Sequence, residues 1–192
     1  MTHNEAADFL KQRYYRWIDE VLPERLQSYE KYLPHISEKL RLIRDNFFFA
    51  KGGIMLVCGN SGSGKTSLAS EVIAKFLWHR VKAISSCPAI YINSHRFFLG
   101  IRDAMTDFKN SELSFLKPYE QVELLVIDDI GGSHYTDYEF THLQNLLILR
   151  EQNVKKTLLI SNMSTDMLQS TLPEPILRRV NESFGVIELI RS

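Results

Sequence analysis

Eight residues, Gly59-Asn60-Ser61-Gly62-Ser63-Gly64-Lys65-Thr66, separate an apolar run, Ile54 to Cys58, from a helical pattern that extends from Ser67 to Trp78. A strand that passes through glycines straight into a helix gathers backbone N–H groups and the positive end of a helix dipole around one point. That arrangement is an anion site. Lys65 supplies a mobile positive charge at the right place for the β- and γ-phosphates of a nucleotide, and the Thr66 hydroxyl follows as a ligand for the accompanying Mg²⁺. Gly59, Asn60, Ser61, Gly62, Ser63, Gly64, Lys65, Thr66 and Ser67 are therefore the expected nucleotide-binding residues.

The rest of the chain fits a fold built around that turn. Short, nearly uniformly apolar runs recur at Ala89 to Asn93, Leu124 to Asp128, Thr157 to Ser161 and Val186 to Leu189, making five with Ile54 to Cys58. Amphipathic patterns lie between them, from about Ser94 and from about Asp137 to Gln152. Uniformly apolar strands alternating with helices predict a parallel sheet covered on both faces. Before the first strand the pattern is helical, with Phe9, Tyr14, Trp17, Ile18, Val21 and Leu22 recurring and Pro23 and Pro34 dividing it. The expected organisation is an N-terminal helical arm over residues 1–45 and an α/β domain over 46–192 without an extended C-terminal lid.

Composition narrows the function. The 23 Lys and Arg balance the 23 Asp and Glu, so a nucleic acid must be held by a local patch and not by a global positive field. The two cysteines, Cys58 and Cys87, have no partner at metal-ligand spacing, which points to a reduced, cytoplasmic protein with no metal beyond nucleotide-linked Mg²⁺. No apolar run approaches the roughly 20 residues that span a bilayer, so no membrane association is expected.

The run Leu124-Leu125-Val126-Ile127 ends in two adjacent carboxylates, Asp128 and Asp129, about 60 residues after the glycine-rich loop. A strand ending in paired acids is costly unless a cation or a water network compensates it. This is a Walker B pattern, in which Asp128 holds Mg²⁺ and Asp129 orients and deprotonates the attacking water. The next strand ends at Asn162, where parallel topology would bring it to the same crevice; on spacing alone it could equally cap a helix at Ser164-Thr165-Asp166. Arg178 and Arg179 sit on a short helical pattern, and by composition alone such a pair is more often solvated surface charge.

Taken together, Gly59 to Thr66, Leu124 to Gly131, Leu149-Arg150 and Thr157 to Asn162 resemble the AAA+ ATPases of the DnaC/DnaI helicase-loader and IstB transposition group, over about Pro23 to the C-terminus. DnaC-type loaders are the nearer likeness, because Thr106 to Glu112 and Thr136 to Glu139 look like segments lining a single-strand DNA path. The resemblance implies an ATP-dependent loader that binds a hexameric DnaB-type replicative helicase, self-associates when ATP-bound and delivers the helicase onto single-stranded DNA, with hydrolysis driving release. It further implies that Asn162 is the sensor-1 residue, that Arg179 is an arginine finger, and that Phe108, Thr136 and Tyr138 contact DNA. The short arm leaves Tyr14, Tyr15 and Trp17 as candidates for the helicase contact. Asp129 stands where many relatives carry Glu, which suggests slow turnover. Arg191, next to the last residue, stands near the place of a sensor-2 arginine. An IstB-type protein acting on duplex DNA is the alternative function. A small-molecule kinase fits less well, since an acid pair and a polar strand end replace the lid arginines that such an enzyme needs, and the intact catalytic set argues against a nucleotide-binding adaptor.

Overall fold

The computed structural model describes residues 3–27, 38–106, 112–132 and 135–190. In chain order the elements are α1 (His3–Val21), α2 (Glu24–Gln27), α3 (Glu38–Phe49), β1 (Gly53–Cys58), α4 (Lys65–Arg80), β2 (Ala89–Asn93), α5 (Ser94–Thr106), α6 (Glu112–Gln121), β3 (Leu124–Asp128), α7 (Asp137–Gln152), β4 (Lys156–Ile160), α8 (Thr165–Thr171), α9 (Glu174–Glu182) and β5 (Val186–Glu188). They fall into two compact units. One comprises Met1–Phe49 with Thr66–Ala89, the other Ala50–Lys65 with Ile90–Ser192.

The first unit is helical. Along α1, Tyr14, Trp17, Ile18 and Val21 recur every three or four residues and are buried, as the helical period requires of an inward stripe. Along α4, Leu68, Ala69, Val72, Ile73, Phe76 and Leu77 form one broad buried face, and Ser70, Glu71 and Ala74 on the opposite side are buried as well. Polar contacts tie the helices together. The Arg13 guanidinium donates to the Val81 and Ile84 carbonyls at 3.1 and 3.0 Å, just past the end of α4, where helical carbonyls have lost their own donors. Arg44 pairs with Glu71, whose side chain is almost fully buried, and Lys75 pairs with Asp45 at 2.5 Å. Tyr14 and Trp17 are thus core residues of this unit, so neither is available to a partner as expected; Tyr15 remains on the surface.

The second unit is the expected five-stranded parallel sheet, in the order β2-β3-β4-β1-β5. Strand β1 pairs in parallel with β4 and β5, and β3 with β4. The edge positions differ slightly from expectation: β4 starts at Lys156, because Lys156 registers with both Gly53 and Leu124, and β5 stops at Glu188. One sheet face supplies Ile54, Leu56, Ile127 and Leu159 to a core that also holds Phe97, Phe98, Leu143, Leu147, Ile176 and Val180 from helices α5, α7 and α9.

A charged side chain lies inside this unit. Arg150 of α7 is fully buried, and its guanidinium donates to Thr157 Oγ1 at 2.9 Å, the Tyr119 and Val122 carbonyls at 2.5 and 2.9 Å, and the Lys156 carbonyl. Burial pulls its pKa down to about 9, so it is still a cation at neutral pH. It staples the end of α6 to the start of β4. Among the described residues, no helix is long and apolar enough to cross a membrane.

Candidate functional site

Because β1, β3 and β4 are parallel, their carboxyl ends share one edge of the sheet, and the polar residues that follow them meet there. The loop after β1 depends on glycine. Gly59 has φ 130°, its N–H donates to the Met163 carbonyl at 3.0 Å, and a Cβ there would lie 2.2 Å from the Leu189 carbonyl oxygen. Gly62 and Gly64 also have positive φ, 80° and 94°, which completes a curl closed by Ser63 N–H on the Asn60 carbonyl at 3.2 Å. Asn60, Ser61 and Gly62 are exposed, whereas Lys65 is buried at the start of α4, followed by half-buried Thr66 and Ser67.

Lys65 folds back onto its own loop. Its ammonium donates to the Gly59 and Asn60 carbonyls at 2.7 and 2.8 Å and to Ser63 Oγ at 3.4 Å. Burial draws its pKa below the ordinary lysine value, opposed chiefly by the negative charge of Asp128. Lysine charge is therefore already stored at the loop and facing the acid pair.

Both acids are held by specific bonds. Asp128 ends β3 nearly buried; its Oδ2 accepts the Tyr91 hydroxyl from β2, and its Oδ1 accepts the Asp129 N–H at 2.8 Å. Asp129 has φ 65°, the left-handed region that a non-glycine residue occupies only when its surroundings enforce it. The enforcement is visible: its carbonyl accepts Ser94 Oγ at 2.8 Å, the Tyr135 hydroxyl at 3.3 Å and Gly132 N–H at 3.3 Å. With this backbone the Asp129 carboxylate meets Asn162, whose Nδ2 donates to Asp129 Oδ1 at 2.8 Å. Asn162 is thus brought to the second acid, while the cap of α8 is Ser164, which accepts Met167 N–H. Tyr91, Ser94 and Tyr135 are the polar residues that sequence reading missed; the one signal for two of them was the end of β2, which parallel topology sends to this same edge.

The remaining candidates lie elsewhere. Arg179 on α9 donates from Nη1 to Glu151 Oε2 at 2.7 Å, and its buried Nε has no hydrogen-bond acceptor. Thr136 is the N-cap of α7 in a reciprocal capping box: its Oγ1 accepts Glu139 N–H at 3.3 Å and its own N–H donates to Glu139 Oε2 at 2.7 Å. Tyr138, two residues on, is half-buried against the core with its ring 4.3 Å from that of His142. Phe108 lies outside the described residues, as does Arg191.

A buried strand-end carboxylate facing a glycine-rich anion loop, with a hydroxyl next to the loop lysine, is a donor set suited to Mg²⁺, which takes one or two protein oxygens and fills the rest of its octahedron with phosphate and water. Among the described residues there is no cluster of His, Cys, Asp or Glu that would hold a metal independently of a nucleotide.

The family model described as the bacterial DnaA ATPase domain matches residues 50–182. Among curated proteins, none matches the sequence. Solved structures do. The DnaC helicase loader superimposes with a TM-score of 0.62 at 21% identity, over 93% of this chain and 99% of that one. Domain III of the Thermotoga maritima replication initiation protein DnaA gives 0.66 at 19% identity, over 79% and 61%. A replication initiator DnaA bound to AMPPCP and single-stranded DNA gives 0.64 at 15%, over 81% and 45%. The chain therefore spans only about half the length of the initiator structures that it matches.

Proposed function

The chain belongs to the family of bacterial DnaA ATPase domains, with the AAA+ fold, and from that premise we propose that it is an ATP-dependent helicase loader. In this reading it binds a hexameric DnaB-type replicative helicase in the cytoplasm and delivers it onto single-stranded DNA. One observation supports the loader over the initiator: the superposition on the DnaC loader runs through 93% of this chain, whereas those on the initiators take in 79% and 81% of it.

The chemistry follows from the edge of the sheet. ATP lies with its phosphates in the loop from Gly59 to Thr66, and Lys65 exchanges the Gly59 and Asn60 carbonyls for the β- and γ-phosphates. Thr66 and Asp128 would hold Mg²⁺, which would neutralise charge on the phosphates. Asp129 accepts the proton of the attacking water, an assistance worth about 10² to 10⁴ in rate, and Asn162 keeps that carboxylate aimed. Arg179 leaves Glu151 to reach the nucleotide of a neighbouring copy, a contribution of about 10³ to 10⁵. Residues 1–45 form the arm that grips the helicase, with Phe9 and Tyr15 among its exposed aromatics. Residues 46–192 are the ATPase core. Phe108, Thr136 and Tyr138 line the strand path; Thr136 offers it backbone and methyl surface, since its hydroxyl serves the helix cap.

The deciding experiment is steady-state Mg²⁺-ATP hydrolysis without DNA, with single strands and with duplex, using Lys65→Ala as the blank, followed by pull-down of a hexameric helicase. Stimulation by single strands and capture of the helicase are expected. Arg179→Ala is expected to bind ATP normally and lose the stimulated rate. Preference for duplex without helicase capture would replace the loader by the IstB-type reading.

A further inference from the structure

Asp128 carries a bond that the Walker B pattern does not account for. Tyr91 is the third residue of β2, the edge strand beside β3, and its phenol donates to Oδ2 of the very carboxylate that faces the anion loop. Nothing in the sequence marks it. A half-buried tyrosine could satisfy its hydroxyl with water, so the fold does not require this bond. What the bond does is geometric. With Asp129 N–H on Oδ1 and Tyr91 on Oδ2, both oxygens are anchored from the protein side, and the carboxylate plane cannot rotate about its terminal torsion, which is otherwise broad. Each oxygen keeps a further lone pair. The phenol meets Oδ2 as a donor, so it competes for no coordination position with a cation.

We propose that Tyr91 is a positioning residue for the divalent cation, holding the Asp128 carboxylate in the orientation in which its remaining lone pairs meet the cation that accompanies the nucleotide. This rests on the ATPase reading above. Hydrogen bonds behind a metal-binding group typically govern about 10- to 100-fold in metal affinity. The effect of Tyr91 is therefore on the cation and only through it on the nucleotide.

The test is Tyr91→Phe, which keeps the ring and removes the bond. Binding of a fluorescent ATP analogue is titrated in EDTA and then across a Mg²⁺ series, with Asp128→Asn and the double variant alongside. The expected result is unchanged affinity in EDTA, within about twofold, and a Mg²⁺ midpoint raised about 10-fold or more. In the Asp128→Asn background, Tyr91→Phe is expected to add nothing, a result that a general loosening of β2 would not give. A Mg²⁺ midpoint within twofold of wild type overturns the assignment, as does an equal and additive effect of Tyr91→Phe without Asp128. Wild-type nucleotide binding that ignores Mg²⁺ overturns this inference together with the ATPase reading, whereas a Mg²⁺-dependent wild type with an indifferent Tyr91→Phe overturns the inference alone.

Discussion

Replacing Arg150 by methionine removes a cation from the interior without leaving a void, and the structure sets the size of the effect. The guanidinium serves four oxygens, on Tyr119, Val122, Lys156 and Thr157. Each buried acceptor left without a donor costs about 1 to 3 kcal/mol, so the four together cost about 8. Against this, the variant no longer has to desolvate a charge. The fall of the Arg150 pKa under burial, to about 9, corresponds to roughly 5 kcal/mol at about 1.36 kcal/mol per pH unit. A net destabilisation of about 3 kcal/mol is expected, or about 6 to 12 °C in Tm for a chain of this length. Arg150→Lys should fall between, since an ammonium with three donors cannot span four acceptors. Urea unfolding followed by circular dichroism measures the difference, and hydrogen exchange should show the end of α6 opening first. A loss below about 1 kcal/mol would refute the staple, because the oxygens would then have found other donors.

Three further outcomes are expected. Gly59→Ala places a Cβ 2.2 Å from the Leu189 carbonyl at φ 130°, where backbone strain alone costs about 1 to 3 kcal/mol; thermal melts with and without Mg²⁺-ATP should show both a lower Tm and the loss of the ligand-induced rise. Asp129→Asn keeps a residue that tolerates the left-handed region, so stability should hold within about 0.5 kcal/mol while hydrolysis falls by about 10² to 10⁴; an unfolded or fully active variant would contradict the separation. Since burial lowers the Lys65 pKa, its charge is lost as pH rises toward that lowered value, and the bound phosphates oppose the loss. Nucleotide affinity should accordingly weaken in alkaline solution while protons are taken up on binding, and Lys65→Arg should flatten the profile, an equal decline in both proteins telling against Lys65 as the titrating group.

The strands were legible because burial on both faces leaves runs such as Leu124 to Ile127 uniformly apolar, and the loop was legible because glycine is the residue that reaches the positive φ values of Gly59, Gly62 and Gly64 without strain. Asn162 was half legible: its place at a strand end was evident, but the choice between capping and the Asp129 carboxylate depends on a backbone twist at Asp129 that no spacing reveals. Tyr14 and Trp17 misled in the other direction. Aromatic residues on a short arm look like a docking surface until the helix finds something to bury them against. The Tyr91, Ser94 and Tyr135 hydroxyls were hidden because they act across strands and loops far apart in sequence, a relation that local pattern does not encode.

The order β2-β3-β4-β1-β5 also sets a timetable. As the chain leaves the ribosome, β1 appears early, yet its partners β4 and β5 end about a hundred residues or more later. At synthesis rates of about 5 to 20 residues per second, the apolar run Ile54 to Cys58 waits on the order of 5 to 20 s with no neighbour to pair with. The nucleotide loop cannot be framed in that interval, because the Met163 carbonyl that receives Gly59 N–H has not yet been made. Nascent chains of this protein should therefore depend on chaperones until the last strands emerge, and acquire ATP affinity only once β4 and β5 have joined β1.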